Sequence, residues 1–388
     1  MLAAGKNAED VEISEMKFLS NLKQKDLKGK VCLLRIDLNI LDEDILKDNL
    51  RVQAVLPTIK FLLKNEAKVI LLSHRGRPEK VKSKMENEKW KKELTLRPFV
   101  KIYEKLLKQQ VKFLDFGAMV NHSKDFLNIT NSIFLLENLR FLKGEEENGD
   151  KLAKQLASLG DIYVNDAFAV SHRKNASVCA ITDYLPSYAG LLLEKEIKNL
   201  NKVMKARKRP LIVVLGGAKI SDKIGIINNF IKKSDFFLIG GGIANNFLKA
   251  EGLPLGDSIY ERDKIGFAKR LLKNKKIILP IDYAVHQRQI IDIGPNTAEK
   301  FSELIRRTKT IIWNGPMGII ENPKSKKGSE AIAKAIIRSR VFATVGGGET
   351  ATLFEGKKLP KHVFLSTGGG AMLEYLSGKK LPGIEALK

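Results

Sequence analysis

Short apolar runs recur along the chain, and helix-length stretches with apolar positions three and four apart lie between them. Lys30–Ile36 (KVCLLRI), Lys68–Ser73, Val111–Asp115, Ser132–Glu137 and Ile162–Asp166 read as strands of the first half. VQAVLPTIKFLLKN, PFVKIYEKLLKQ and DKLAKQLASLG read as helices between them. From Leu211 onward the scheme repeats. Runs that are continuously apolar and bounded by glycine belong to strands buried on both faces, as in parallel sheets. Strands alternating with helices predict parallel sheets covered by helices on both sides. Between the halves, Leu191–Pro210 (LLLEKEIKNLNKVMKARKRP) is charged, amphipathic and closed by proline. It reads as one long helix joining two domains. The fold class expected is therefore α/β, with two doubly wound, Rossmann-like domains.

The ends of the strands carry the chemistry. In the second half, LIVVLGGAKISDK, FFLIGGG, IIWNGPMGIIE, ATVGGGETAT and FLSTGGGA each run from an apolar segment into small residues. Glycine after a strand lets backbone N–H groups approach a phosphate, and open parallel sheets bind ligands at their carboxyl ends. Five such loops point to a nucleotide. Lys219 and Lys223 are four apart at a helix start, a spacing that places both on one side. Glu349 could reach a metal-bound phosphate and Thr350 could donate a hydroxyl. Magnesium is usually held by one or two carboxylates plus substrate phosphates, so one carboxylate suffices.

In the first half, Asp37 and Asn39 are two apart at a strand end and share a face. His74 and Arg77 follow a second strand, Arg140 a third, and His172 and Arg173 a fourth. Arg51 opens a helix. A lone arginine more often pairs with a local acid. Arginines at successive strand ends instead describe a site for a small, highly anionic molecule, which guanidinium groups grip bidentately. Other nucleotide signatures are absent. GEEENGDK has the spacing of a phosphate loop, but Asp150 stands where lysine is needed. No GxGxxG follows a strand, and no HRD…DFG pair or GxSxG elbow occurs.

Composition narrows the picture further. A chain of 388 residues exceeds one hydrophobic core, and 44% hydrophobic content is ordinary for a globular protein. No apolar run reaches spanning length, and the N-terminus has no apolar secretory region, so a soluble, cytoplasmic protein is expected. Cys32 and Cys179 lie in apolar surroundings and read as small buried side chains, not a disulfide or metal pair. The net charge of +24 could attract nucleic acid. Its lysines are scattered on helices, as in Lys80–Glu93, and no aromatic stripe accompanies them, which favours solvated faces. The first sixteen residues read as an extension.

RIDLN, SHRGRP, ENLRF, YVNDAF…SHR, GGAKISDKI, IGGGIANNFLKA, DIGP, WNGPMGIIE, GGGETAT, STGGGA and LPGIEAL, in that order, resemble the motifs of the phosphoglycerate kinase family from about Lys17 onward. The resemblance implies a glycolytic kinase that moves a phosphoryl group between 1,3-bisphosphoglycerate and ADP, giving 3-phosphoglycerate and ATP, with Mg²⁺. It implies a glycerate-binding domain over residues 1–190, a connecting helix over 191–205, a nucleotide-binding domain over 206–370, and a tail, 371–388, packed back on the first domain. Carried over by position, Asp37, Asn39, Arg51, His74, Arg77, Arg140 and Arg173 would hold the glycerate. Gly217, Ala218, Lys219, Lys223, Gly241, Asn314, Glu321, Gly347, Gly348, Glu349 and Thr350 would hold the nucleotide. Arg51, Lys219, Gly347 and Gly348 would act in transfer, and Glu349 would bind the metal. A monomer is expected, with neither membrane nor nucleic acid as partner. Three departures stand out: Glu349 where the family has aspartate, the short HQRQII before DIGP, and Ala169 and Asn175 in place of glycine and histidine. The competing readings are a non-catalytic nucleotide-binding relative and a basic nucleic-acid-binding protein.

Overall fold

β1 (Val31–Arg35), β2 (Lys68–Leu72), β3 (Val111–Leu114), β4 (Ile133–Leu136), β5 (Ile162–Asn165) and β6 (Ser187–Ala189) form a parallel sheet in the order β3-β4-β2-β1-β5-β6. The computed structural model describes residues 15–41, 49–82, 89–117, 133–206, 208–322 and 325–388. Most of the expected extension, and part of the lysine-rich stretch Lys80–Glu93, lie outside the described residues. β1, β4 and β5 are buried at every position, which is why their sequences are apolar without alternation. Leu34, Val55, Ile59, Leu62 and Leu71 belong to the core between this sheet and its helices. Arg35 pairs in register with both Leu72 and Asn165. The carboxyl ends of β1, β2 and β5 therefore sit level, and the loops that follow them leave the sheet at one edge.

The second sheet is built the same way. β7 (Leu211–Leu215), β8 (Phe236–Ile239), β9 (Ile277–Ile278), β12 (Thr310–Asn314), β13 (Phe342–Gly346) and β14 (Val363–Leu365) run parallel in the order β14-β13-β12-β7-β8-β9. Asn314 pairs with both Leu215 and Gly346, so these ends are level too. Beside this sheet, β10 (Tyr283–His286) and β11 (Gln289–Ile293) make an antiparallel hairpin. The two-sheet α/β class matches the expectation, but β6, β9 and the hairpin were not expected.

Two compact units result. The first comprises Met1–Glu196 and Lys380–Lys388, the second Ile197–Lys379. The division falls inside the helix Leu191–Met204, the one expected to join the two domains. That helix starts on Asp166, whose Oδ1 accepts from the backbone N–H groups of Leu192 (2.8 Å) and Leu193 (3.0 Å). Residues 371–379, read as part of the tail, group with the second unit; only residues 380–388 group with the first. There Gly383 N donates to Ser171 O (2.8 Å), Asn165 Nδ2 donates to Gly383 O (3.1 Å), and Leu381, Ile384 and Leu387 are buried.

Candidate functional site

In the first unit the loops after β1, β2, β4 and β5 converge on a nest of cationic side chains. Asp37 and Asn39 lie past the end of β1, so the shared face expected from strand geometry does not apply. They are joined by a tight turn in which Asn39 N donates to Asp37 Oδ1 (3.0 Å). The Asn39 side chain accepts from Gly76 N (2.8 Å), tying the loop after β1 to the loop after β2. Arg51, in the first turn of the helix Leu50–Lys64, donates to Asn39 O (2.9 Å) and lies 3.3 Å from Asp37. Arg140 donates to Gly76 O and pairs with Glu146 at 3.1 Å. Desolvation outweighs that carboxylate and lowers the Arg140 pKa, with Arg173, Arg35 and Arg77 adding to the fall.

Arg77 is exposed and has no ion-pair partner among the described residues. It lines an open cleft with Asn39, Gly76 and Lys80. Arg173 is half-buried and directs Nε at His172 Nε2 (3.3 Å). Burial, then Arg35, Arg140, Arg173 and Arg51, hold the His74 pKa well below its ordinary value. Thus Arg51 and Arg140 have local acids, Arg77 and Arg173 have none among the described residues, and Arg51, Arg140 and Arg173 all act on His74. The departures at Ala169 and Asn175 are accommodated structurally: Ala169 sits in the short turn Phe168–Val170, and buried Asn175 donates to Glu145 O (3.2 Å).

In the second unit the glycine loops pack against each other. Gly315, after β12, has φ +89°, and a Cβ there would lie 2.1 Å from Gly216 O. Only glycine allows the loops after β7 and β12 to approach so closely. Gly348 is different: its φ is not positive, and a Cβ would meet nothing within 4 Å. It begins the helix Gly348–Thr352, and the space above its backbone is open. Beside it lies a polar pair. Buried Lys223 donates from Nζ to the Asn314 side-chain carbonyl, while Asn314 Nδ2 is buried with no partner among the described residues. A Cβ on Gly347 would lie 3.7 Å from that nitrogen, so the unused donor adjoins the Gly347–Gly348 loop. Burial lowers the Lys223 pKa to about 8, against the pull of Asp222 and Glu349.

Next to this loop is a cleft of about 190 Å³, lined by Gly217, Ala218, Gly241, Tyr283, Ile290, Pro316, Glu321 and Glu349 among others. Five of these are residues expected at a nucleotide. Tyr283 and Ile290 come from the β10–β11 hairpin, so the shortened HQRQII segment still furnishes a wall. Glu349 is exposed in the first turn of its helix, and no cluster of three His, Cys, Asp or Glu among the described residues could hold a metal alone. A single carboxylate, an unpaired amide and an uncrowded glycine backbone suit a cation that arrives with phosphates.

One further expectation changes. Lys219 lies in the loop before the turn Ser221–Lys223, so helical spacing does not pair it with Lys223: Lys219 is exposed and Lys223 buried. Thr350 is fully buried, and its hydroxyl oxygen accepts from Gly315 N (3.0 Å), tying two loops together. Glu261 was not anticipated. It takes hydrogen bonds from Ser221 N (2.8 Å) and Oγ (2.7 Å), anchoring the loop that carries Lys219 and Lys223. Cys32 is buried and Cys179 half-buried; both are free, with burial pushing their thiols up to about 12 and about 11.

The family model for phosphoglycerate kinase matches residues 22–379. Phosphoglycerate kinase of Dictyoglomus turgidum is 42% identical over 367 residues, 87% of this chain and 90% of that protein. That of Finegoldia magna is 40% identical over 359 residues, covering 85% and 89%. Among solved structures, phosphoglycerate kinase from Pyrococcus horikoshii superposes with a TM-score of 0.83 at 31% identity, covering 96% of this chain and 98% of that one. The enzyme from Coxiella burnetii gives 0.78 at 34% identity with the same coverage.

Proposed function

The chain belongs to the phosphoglycerate kinase family, and from that premise we propose how its two loop clusters divide the work. The reaction is reversible phosphoryl transfer from 1,3-bisphosphoglycerate to ADP, giving 3-phosphoglycerate and ATP. In our reading the arginine-rich cluster of the first unit holds the glycerate through Asp37, Asn39, Arg51, His74, Arg77, Arg140 and Arg173. The glycine-rich cluster of the second holds the nucleotide, with Lys223, the Asn314 amide and the Gly347–Gly348 backbone at the phosphates. The cleft beside Tyr283 takes the base.

The observation that carries the nucleotide assignment is Gly348. Among the described residues nothing would meet a Cβ there, whereas a phosphate lying against its backbone would. Glu349 would hold magnesium together with those phosphates; bound there, the ion would neutralise phosphate charge. Its lengthened side chain has room, since it stands at an open cleft. No general base is required, because the attacking oxygens of ADP or of the glycerate carboxylate are already ionised at neutral pH. Positioning and charge neutralisation are enough. Among the described residues no helix is long and apolar enough to cross a membrane.

The test is turnover of 3-phosphoglycerate with ATP, with and without Mg²⁺. Magnesium-dependent turnover supports the assignment. Nucleotide binding without turnover would make the chain a non-catalytic relative.

A further inference from the structure

We infer that Arg35 is a positioning residue that fixes His74 as its neutral Nε2–H tautomer, so that the ring offers the glycerate a hydrogen-bond donor without a titrating charge. This rests on the glycerate assignment above. Arg35 closes β1 and is buried. Its Nη2 lies 3.2 Å from His74 Nδ1. A guanidinium only donates, so the nitrogen that faces it must accept, and the ring proton must reside on Nε2. Asp37 Oδ1 lies 3.9 Å from the same Nδ1, beyond hydrogen-bond reach. With Nδ1 bare, no ion pair forms between them.

Four arginines around the ring push the same way. Arg35 approaches from the end of β1, Arg140 from the loop after β4, Arg173 from the loop after β5, and Arg51 from its helix, against the one carboxylate of Asp37. The guanidinium is itself held in one direction. Ser177 Oγ donates to Glu145 Oε1 (2.6 Å) and Ser177 N donates to Glu145 Oε2 (3.1 Å). With its proton committed to Glu145, the serine oxygen must accept from Arg35 Nε, at 2.8 Å. Arg35 Nη1 donates to Ile36 O, and Nη2 also lies 3.8 Å from Glu145. Arg35 thus donates in two directions, through Nε to Ser177, whose own proton goes to Glu145, and through Nη2 to His74. A histidine left to itself changes charge between about pH 5 and 8; this one would not.

The test is two-bond ¹H–¹⁵N correlation of the histidine rings in the full chain, with His74 assigned by the peaks lost in His74→Gln. The expected result is a single neutral Nε2–H pattern for His74 that does not titrate between about pH 5 and 8. A ring that titrates near its ordinary value of about 6.5, or one protonated on Nδ1, overturns the inference. In Arg35→Met the titration should appear, and KM for 3-phosphoglycerate should become pH-dependent over the same window. A spectrum unchanged in that variant removes Arg35 from the role. If Arg35→Met does not fold, Ser177→Ala removes the acceptor that orients Arg35 Nε, frees the guanidinium to turn from Nδ1 and should give mixed tautomers; an unmixed spectrum there counts against it. The spectrum needs no ligand. A locked tautomer whose resonances ignore added 3-phosphoglycerate would therefore refute the glycerate assignment and not the lock.

Discussion

The guanidinium of Arg51 lies 3.3 Å from the carboxylate of Asp37. The pair is only partly desolvated, since the Arg51 side chain keeps 29% of its surface exposed. Asp37 and the Asn39 carbonyl hold the arginine in place without exhausting its five N–H donors. Arg51 is thus oriented but still has donors for an anion. Arg51→Ala should lower kcat by about 10²–10³, the usual cost of losing one preorganised electrostatic contact. Binding of 3-phosphoglycerate should weaken far less. Steady-state kinetics with calorimetric binding decides; near-normal kcat with poor binding would assign Arg51 to the ground state.

Lys223 should give the enzyme an alkaline limb. Phosphate binding needs the ammonium, and the free enzyme loses that proton as pH rises through about 8. Nucleotide kcat/KM should therefore fall above that pH, and the limb should vanish in Lys223→Arg, which keeps its charge. Stability moves the opposite way. The folded-state pKa is depressed from 10.5, so between about 8 and 10.5 the unfolded chain binds more protons, and the contribution of this residue to stability rises with pH. A limb that persists unchanged in the arginine variant would assign it to another group.

Gly315 and Gly348 should separate fold from function. Gly315→Ala forces a side chain into a left-handed backbone and against Gly216 O, and should destabilise by at least about 1–3 kcal/mol. Gly348→Ala meets open space and should change stability by no more than about 0.5 kcal/mol. The Gly348 variant should nevertheless lose nucleotide affinity and turnover. Thermal melts beside ADP titrations test both, and a Gly348→Ala enzyme of full activity would mean that no phosphate lies against that backbone.

Glu349→Ala should shift the magnesium dependence of turnover to higher concentration and depress the maximal rate. Glu349→Asp should retain activity or raise it. Magnesium keeps several waters and tolerates a direct or water-bridged carboxylate. If the alanine variant shows an unchanged magnesium titration, Glu349 acts only as a charge at a helix start.

Both sheets were legible because a strand buried on two faces must be apolar throughout, and their loops were legible because glycine marks a close backbone approach. What escaped had no such signature. β6 is Ser-Tyr-Ala, three residues at a sheet edge with no apolar run. The hairpin turns on Gln287 and Arg288, both at positive φ (46° and 63°), where asparagine and glycine are the usual signal. Arg35 was read as part of a strand, and Glu145 and Ser177 lie far from it in sequence, so their polar chain exists only in three dimensions. The lysine spacing misled because a loop and a tight turn, not a helix, separate Lys219 from Lys223.

Residues 380–388 complete the first unit, with Gly383 donating to Ser171 and accepting from Asn165. During synthesis these residues leave the ribosome only after the whole of Ile197–Lys379. At about 5–20 residues per second, the first unit waits on the order of tens of seconds for its last buried leucines. Through that interval the surfaces that receive Leu381, Ile384 and Leu387 are uncovered in the nascent chain. The N-terminal unit, first to be made, is therefore the last to be finished, and chaperone engagement should be concentrated there.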